Sequence, residues 1–247
     1  MRIAIISDIH GNFVALKTAL SDIKGRKVSR IVCLGDVAAT GPQPAEVIEH
    51  LRRMRCPCVM GNTDETLAND LPSKFAHAGI SEEDRERLEA LDLWTRKKLT
   101  KSHRRYLSTF KPMLRVHFGL DQSLVCFHGS PSSNRDEIRP TMSNEELARR
   151  LEGRRANVFA GGHTHAQMLR RFVSSLVINP GSVGLPFRIE SSGKMRNPSM
   201  TEYAVVSSSD GALSVELVSV QYSLSELRRA VRNSGMPDPD WWLTDWV

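Results

Sequence analysis

Two imidazoles stand in Gly161-Gly162-His163-Thr164-His165, directly after the apolar run Val158-Phe159-Ala160, where a buried strand is expected to end in a glycine-loosened turn. Other ligand-type side chains follow apolar runs in the same way: Asp8 and His10 after Ile3 to Ile6, Asp36 after Ile31 to Leu34, Asn62 after Val59-Met60, and His128 after Leu124 to Phe127. Carboxylates and imidazoles suit first-row divalent cations, and a bridging carboxylate allows two ions to sit about 3.5 to 4 Å apart as a clamp on a phosphoryl group. Asp36 is the candidate bridge. Ions held in this way lower the pKa of a shared water toward neutrality, so no Ser or Cys nucleophile is required.

Each block also has a plainer reading when taken alone. Asp8 or Asp36 caps a following helix, His128 is a hydrogen-bonded core imidazole, and Asn62 supplies a left-handed turn. Asn12 divides evenly between capping the helix that begins near Phe13 and touching a substrate phosphate. Gly181-Ser182-Val183-Gly184 either shapes a turn or aims amides at a phosphate. The ligand-bearing blocks gain weight jointly, because all of them follow strands.

The elements that must position these residues alternate in the first half. Runs at Ile3 to Ser7, Ile31 to Leu34 and Cys58 to Met60 read as strands, and Phe13 to Ile23 and Ala45 to Met54 as helices, the βαβ rhythm of a parallel sheet. Glu82 to Leu91, with Ser81 as N-cap, and Ser102 to Phe110 form a helical interval that looks inserted. Strands resume at Arg115 to Phe118 and Ser123 to Phe127, a helix is expected over Asn144 to Leu151, and after Met168 come strands at Arg170 to Phe172, Leu176 to Ile178, Tyr203 to Ser207 and Leu213 to Val220. That last run predicts a second, largely antiparallel sheet, with Ser209-Asp210-Gly211 as a hairpin turn. A closing helix spans Leu224 to Val231.

With its motifs set in order, the chain resembles the calcineurin-like metallophosphoesterases. The blocks that carry the resemblance are Ser7-Asp8-Ile9-His10-Gly11-Asn12, Gly35-Asp36, Gly61-Asn62-Thr63-Asp64, His128-Gly129-Ser130-Pro131, Gly162-His163-Thr164-His165 and Asn179-Pro180-Gly181-Ser182-Val183-Gly184. The resemblance implies an α/β fold, a four-layer α/β/β/α sandwich of two mixed sheets flanked by helices with a helical cap insertion. It implies a single domain over residues 1–247, the insertion over 65–114 and a tryptophan-rich tail over 236–247. One metal would take Asp8, His10, Asp36 and His165, and the other Asp36, Asn62, His128 and His163. Asn12, Gly129 and Ser182 would touch substrate. The donor set fits Mn, Fe, Zn or Ni, with Mn the first expectation. The implied activity is hydrolysis of a phosphoester by a metal-bridging hydroxide, with Asp36, Asn62 and His128 in the catalytic core.

Thr63 departs from the family pattern. Many members carry a histidine directly after the asparagine ligand, where it helps protonate the leaving group, and general-acid assistance of that kind contributes about 100- to 10,000-fold. The chain is thereby closer to small bacterial and archaeal members that look like phosphodiesterases. Asp64 partnering a water, or His77, His103 or His117 reaching in, are candidate substitutes. Alternatives within the family are a phosphomonoesterase, a dinucleoside polyphosphate hydrolase or a protein phosphatase; outside it, a non-catalytic interaction module would be expected to lack ligands, and here all seven are present.

The 247 residues carry a net charge of +6, but eight basic side chains lie between Leu93 and Leu120, where there is no Asp or Glu, so the remainder is net negative. That interval reads as a solvated helical face that steers anionic substrates, phosphorylated small molecules or nucleotides, rather than as a nucleic-acid groove. No run reaches the eighteen or so apolar residues of a membrane span and the chain enters Arg2-Ile3-Ala4 without a leader, which points to a cytoplasmic protein. Cys33, Cys56, Cys58 and Cys126 fit no zinc or disulfide spacing; Cys56-Pro57-Cys58 admits a redox reading, yet small buried thiols are commoner. Three of the four tryptophans lie in the last residues, docked either onto their own domain or onto a second subunit of a homo-oligomer.

Overall fold

Arg2-Ile3-Ala4-Ile5-Ile6 is almost wholly apolar because both faces of the strand it forms are covered. Ile3 and Ile5 lie in one buried cluster and Ala4 and Ile6 in another. The computed structural model describes residues 1–73, 81–119 and 121–247. In it, β1 (Arg2–Ile6), α1 (Phe13–Gly25), β2 (Arg30–Cys33) and α2 (Pro44–Arg53) form the βαβα opening, with β1 and β2 parallel. The helices α3 (Asn62–Ala68), α4 (Glu82–Lys98) and α5 (Lys101–Leu107) follow, then β3 (Met113–Phe118) and β4 (Gln122–Phe127), α6 (Asn144–Arg150), β5 (Val158–Ala160), β6 (Met168–Phe172) and β7 (Ser175–Asn179). The chain ends with the short pair β8 (Arg188–Ile189) and β9 (Met195–Arg196), the long pair β10 (Met200–Ser209) and β11 (Ala212–Gln221), α7 (Leu224–Ser234) and α8 (Pro239–Leu243).

Two mixed sheets result, ordered β11-β10-β1-β2 and β3-β4-β5-β7-β6. Ile3, Ile5 and Val32 of the first meet Leu124, Cys126, Val158 and Ile178 of the second in the central apolar layer. The outer face of the first sheet is covered by α1, α2 and α7, through residues such as Leu16, Ile48 and Leu227. Leu147 of α6 covers Phe127, Phe159 and Val177 on the outer face of the second. Alternate residues of β1, β4 and β5 therefore serve opposite layers, and the four-layer sandwich is the arrangement observed.

Three expectations need correction. The later strands do not form a sheet of their own: β6 and β7 complete the second sheet, whereas β10 pairs antiparallel with β1, Ile3 opposite Val206, and brings β11 with it. The free edge of β1 decides this, and local pattern carries no information about it. Cys58 to Met60 is not a strand; Cys58 and Val59 make isolated parallel bridges to Cys33 and Lys111. The helix from Glu82 runs on to Lys98, because Leu91 and Thr95 keep one face buried beyond the expected end.

The cysteines are free and buried, Cys56 and Cys58 included, as core residues are. No described helix is long and apolar enough to cross a membrane. The tryptophan-rich tail docks on its own chain: Trp246 is 3% exposed and stacks on Trp242 at 5.0 Å, and main-chain hydrogen bonds join Asn197 to Asp245 and Val247. Trp246→Ala should lower the free energy of unfolding by about 3 kcal/mol or more; urea titration of both proteins measures this, and a loss below about 1 kcal/mol would show that the docked tail adds little to the core.

Candidate metal centre

The site lies where parallel strand pairs of both sheets end. β1 and β2 deliver Asp8, His10 and Asp36, and β4 and β5 deliver His128, His163 and His165. Hydrogen bonding continues past the strands, Asp8 N donating to Gly35 O, His10 N to Asp36 O and Gly11 N to Val37 O, so the ligand loops run as a locked pair. Gly162 N donates to His128 O across the other pair, and Val183 N and Gly184 N donate to Ser7 O and Asp8 O. Asp8, His10, Asp36, His163 and His165 all have φ between 46° and 67°. A non-glycine residue held there is strained by about 1 kcal/mol, and such strain persists only where the surroundings over-determine the backbone.

Each carboxylate has one oxygen fixed and one offered. Asp8 Oδ2 accepts from Ser7 Oγ at 2.5 Å and His163 N at 3.1 Å, while Asp8 Oδ1 is buried with no hydrogen-bond donor. Asp36 Oδ1 accepts from Thr63 N at 3.0 Å; its Oδ2 lies 3.5 Å from His128 Nε2 and 3.9 Å from His10 Nε2. The imidazoles are turned by the same logic. His10 Nδ1 contacts Ala39 O at 3.1 Å, His128 Nδ1 Leu34 O at 2.8 Å and His165 Nδ1 Leu185 O at 2.7 Å. With Nδ1 turned to a carbonyl, each ring directs its Nε2 inward, the orientation a metal ligand needs. His10 and His165 Nε2 stand 3.1 Å apart, and His128 Nε2 stands 3.1 Å from Asn62 Oδ1.

Two groups of donors suited to a cation emerge, Asp8, His10 and His165, and Asp36, His128 and His163, the ligand atoms within each lying no more than 4.8 Å apart. An orphaned buried carboxylate oxygen and convergent imidazole edges fit divalent metal better than they fit a protein core. Close approach also explains two glycines. A Cβ at Gly162 would stand 2.1 Å from Ser7 Oγ, and one at Gly61 would stand 2.0 Å from Asp36 Oδ1.

Charge follows this geometry. Burial opposes ionisation of Asp8, but His165 and then His128 reverse the effect and hold its carboxyl at about 2. Burial likewise opposes charge on His128, yet Asp36 and Asp8 push its pKa up to about 10. Asp36 lies well below the usual carboxylate range, since His128 and His10 outweigh its burial. His10 is drawn down to about 4 by burial first and by His165 second.

The other candidates are placed differently. Asn12 caps α1, accepting from Ala15 N, and donates to Gly184 O and the Tyr222 hydroxyl; it is fully buried with both ends engaged, so the phosphate-contact reading gives way. Ser182 donates to Asp8 O and accepts from Leu185 N, and it too is wholly buried. Gly129 packs against the main chain at Ser133 and Asp136. His103 bonds Glu49 and Thr100 N, and His117 is exposed on β3, so neither reaches the centre; His77 lies outside the described residues. The carboxylate of Asp64 is engaged by main chain: it accepts from the amides of Asp36, Val37 and Gly61, and burial with Asp36 nearby pushes its pKa up to about 7. Its position two residues after Asn62 was visible in the sequence, but its reach to Asp36 was not. Thr40 and Trp242 were also missed: Thr40 Oγ1 lies 3.0 Å from His10 Nδ1, and Trp242 Nε1 donates to Thr40 O at 2.7 Å.

A metal ligand must be neutral imidazole, whereas His128 with a raised pKa holds a proton at pH 7 in the metal-free protein. Mn binding at neutral pH should therefore release about one proton from His128, and affinity should climb with pH toward about 10. Titration calorimetry in buffers of different ionisation enthalpy reads the release directly; heats independent of the buffer would refute it.

Comparison with known proteins places this geometry among relatives. The model of a family described as the calcineurin-like phosphoesterase superfamily domain matches residues 1–210. A metallophosphoesterase of Sphaerobacter thermophilus is 26% identical, with a TM-score of 0.70 over 99% of this chain and 97% of that one. A hypothetical protein of Pyrococcus horikoshii OT3, 22% identical, shares the fold with a TM-score of 0.75 over 96% of this chain and 94% of that one. An uncharacterized protein of Methanocaldococcus jannaschii is 24% identical over 262 residues, 98% of this chain and 95% of that protein.

Proposed function

Since the family model covers most of its length, the chain belongs to the calcineurin-like phosphoesterase superfamily, and on that premise we propose that it hydrolyses phosphodiesters at a two-metal centre built from Asp8, His10, Asp36, Asn62, His128, His163 and His165. The observation that carries the metal reading is Asp8 Oδ1, a carboxylate oxygen buried among imidazole edges with no donor of its own. Bound divalent ions, Mn first among Mn, Fe, Zn and Ni, supply Lewis acidity toward phosphoryl oxygen and a water acidic enough to lose its proton at neutral pH.

The protein's part is placement. Asp8, His10 and His165 would hold one ion, His128, His163 and Asn62 the other, with Asp36 between them. Asp64 fixes the Asp36 loop through three amides, and Thr63 N fixes Asp36 Oδ1, leaving Oδ2 free toward both groups. Thr63 has no group that titrates near neutrality, so no side chain there donates a proton to a departing alkoxide. Diesters whose leaving groups depart without such help fit this centre better than alkyl monoesters. The helical interval would serve as a partial cap, since α3 and α4 wall a cavity that adjoins Asn62 and Thr63, and the basic residues from Arg96 to Arg115 would steer anionic substrate toward the centre. An interaction module on the same fold is the weaker reading, because all seven ligand positions carry competent side chains.

With Mn, an activated diester should be hydrolysed faster than the matching activated monoester, and Asp36→Asn should reduce the diester rate by about 100-fold or more. A monoester preference would sink the diester assignment, and full activity of Asp36→Asn would sink the bridging role. Thr63→His should shift the enzyme toward monoesters by up to about 100-fold in kcat/KM; no gain in that ratio would mean that residue 63 does not set the substrate class.

A further inference from the structure

The loop that leaves the centre at His128 comes back to it at Arg135. Ser130 N donates to Ser133 O at 2.7 Å, Ser130 Oγ to Asp136 Oδ2 at 2.7 Å, and Arg150 meets Asp136 Oδ1 at 2.6 Å, so the loop is folded on itself and pinned at its far end. What it presents to α3 is Asn134 and Arg135. Asn134 Nδ2 lies 3.3 Å from Gly61 O and 3.4 Å from Glu65 Oε2, and Arg135 Nη1 donates to Glu65 Oε2 and to Asn134 Oδ1, both at 2.6 Å. Glu65 stands one helical turn after Asn62, on the same face of α3. Asn62 Oδ1 is in turn 3.1 Å from His128 Nε2. The guanidinium is therefore fastened to the two elements that carry Asn62 and His128, and Arg135 lines one cavity with Asn62 and Thr63.

Both side-chain contacts of Arg135 use Nη1. Neither takes the Nε and Nη2 donors, and with the side chain 57% exposed these are within reach of a ligand. A guanidinium transfers no proton at neutral pH; it stabilises negative charge where that charge forms. In an in-line displacement the attacking and departing oxygens lie on opposite sides of phosphorus. The departing oxygen carries the organic substituent and must face the open side of the centre. Asp8 and Asp36 lie on the buried side, and Arg135 stands on the exposed side of Asn62. Thr63 has no proton to give there, so charge on a departing oxygen has to be met by a cation.

Resting on the phosphodiesterase reading, we propose that Arg135 is a catalytic residue of this centre, its guanidinium donating to the ester oxygen as the P–O bond to the leaving group breaks. The electron pair of that bond stays on the departing oxygen, and Arg135 stabilises the charge without losing a proton. Water supplies hydroxyl to phosphorus and, after departure, hydrogen to the alkoxide or phenoxide. Glu65 and Asn134 are positioning residues that hold Nη1 and so aim the Nε and Nη2 edge.

The test is hydrolysis by the Mn-loaded protein of aryl methyl phosphates graded from the 4-nitrophenyl to the phenyl ester. Arg135→Ala should change kcat/KM little for the nitrophenyl ester, whose leaving group needs little stabilisation, and lower it about 10- to 100-fold for the phenyl ester, the effect of losing a hydrogen bond to a charged group. A calorimetric arm is independent of turnover. Orthovanadate, five-coordinate as phosphorus is in the transition state, should bind Arg135→Ala about tenfold more weakly than wild type, whereas Mn and inorganic phosphate should bind the two proteins within about threefold. No loss with the phenyl ester, an equal loss along the whole ester series, a vanadate loss matched by phosphate, or a fall in Mn affinity would each overturn the role of Arg135. Failure of the wild-type protein to hydrolyse any of the diesters would instead sink the phosphodiesterase reading, and vanadate affinity still decides on Arg135.

Discussion

Burial of negative charge is the constraint around which the rest of this protein is arranged. Asp8 and Asp36 are 0% and 3% exposed, and a carboxylate withdrawn from water is unfavourable unless donors and cations compensate it. Ser7 and the amides of His163 and Thr63 compensate one oxygen of each, and the other oxygen of each is left to the imidazoles. In the metal-free protein the compensation is protonic, with His128 held charged by the two carboxylates. Protons and divalent cations compete for the same lone pairs, so the imidazoles that these carboxylates hold are the groups a metal would also take. The glycines at 61 and 162, the left-handed ligands and the main-chain bonds beyond the strand ends all follow from bringing these groups to one point without water.

Much of this was legible in the chain. Ligand-type residues after apolar runs are visible because a strand buried on both faces reads as an uninterrupted hydrophobic segment, and the ligand must come at the first residue beyond it. Asp8, His10, Asp36, His128, His163 and His165 stand out in that way, and the fold brings them together as two groups of donors. Asn62 was found for a partly mistaken reason, since Cys58 to Met60 forms bridges and Asn62 opens a helix. Sheet membership of β10 and β11 was not legible. A hairpin states its own register but not which free edge it joins, and here the partner of Val206 is Ile3, about two hundred residues away in sequence. Asn12 and Ser182 were read as substrate contacts because a buried polar group looks alike in sequence whether its partner is a ligand or the main chain.

The residues that sequence missed are those acting at second hand. Asp64 touches no imidazole; it gathers three amides and so sets the path of the backbone that carries Asp36. Its burial beside another carboxylate is unfavourable in isolation, and its raised pKa records that, yet the loop has no other acceptor for those amides in the described bonding. Such a role leaves no periodicity to read. Trp242 is a similar case: its indole fixes the carbonyl of Thr40, a left-handed residue whose neighbour Ala39 orients His10.

These indirect contacts also tie the helical interval to the centre. Trp241 bonds Asp84 on α4 while Trp242, one residue on, bonds Thr40, so the same short helix grips the interval and the loop behind His10. Asn62 and Thr63 begin α3, so a proposed ligand and the wall of the neighbouring cavity share one turn of helix. A displacement of α4 from the sheets would have to break the Trp241 bond or drag α8, and with it the Thr40 carbonyl. The helical interval and the loop that turns His10 inward are therefore joined through one short helix, the kind of tie that preorganised positioning requires.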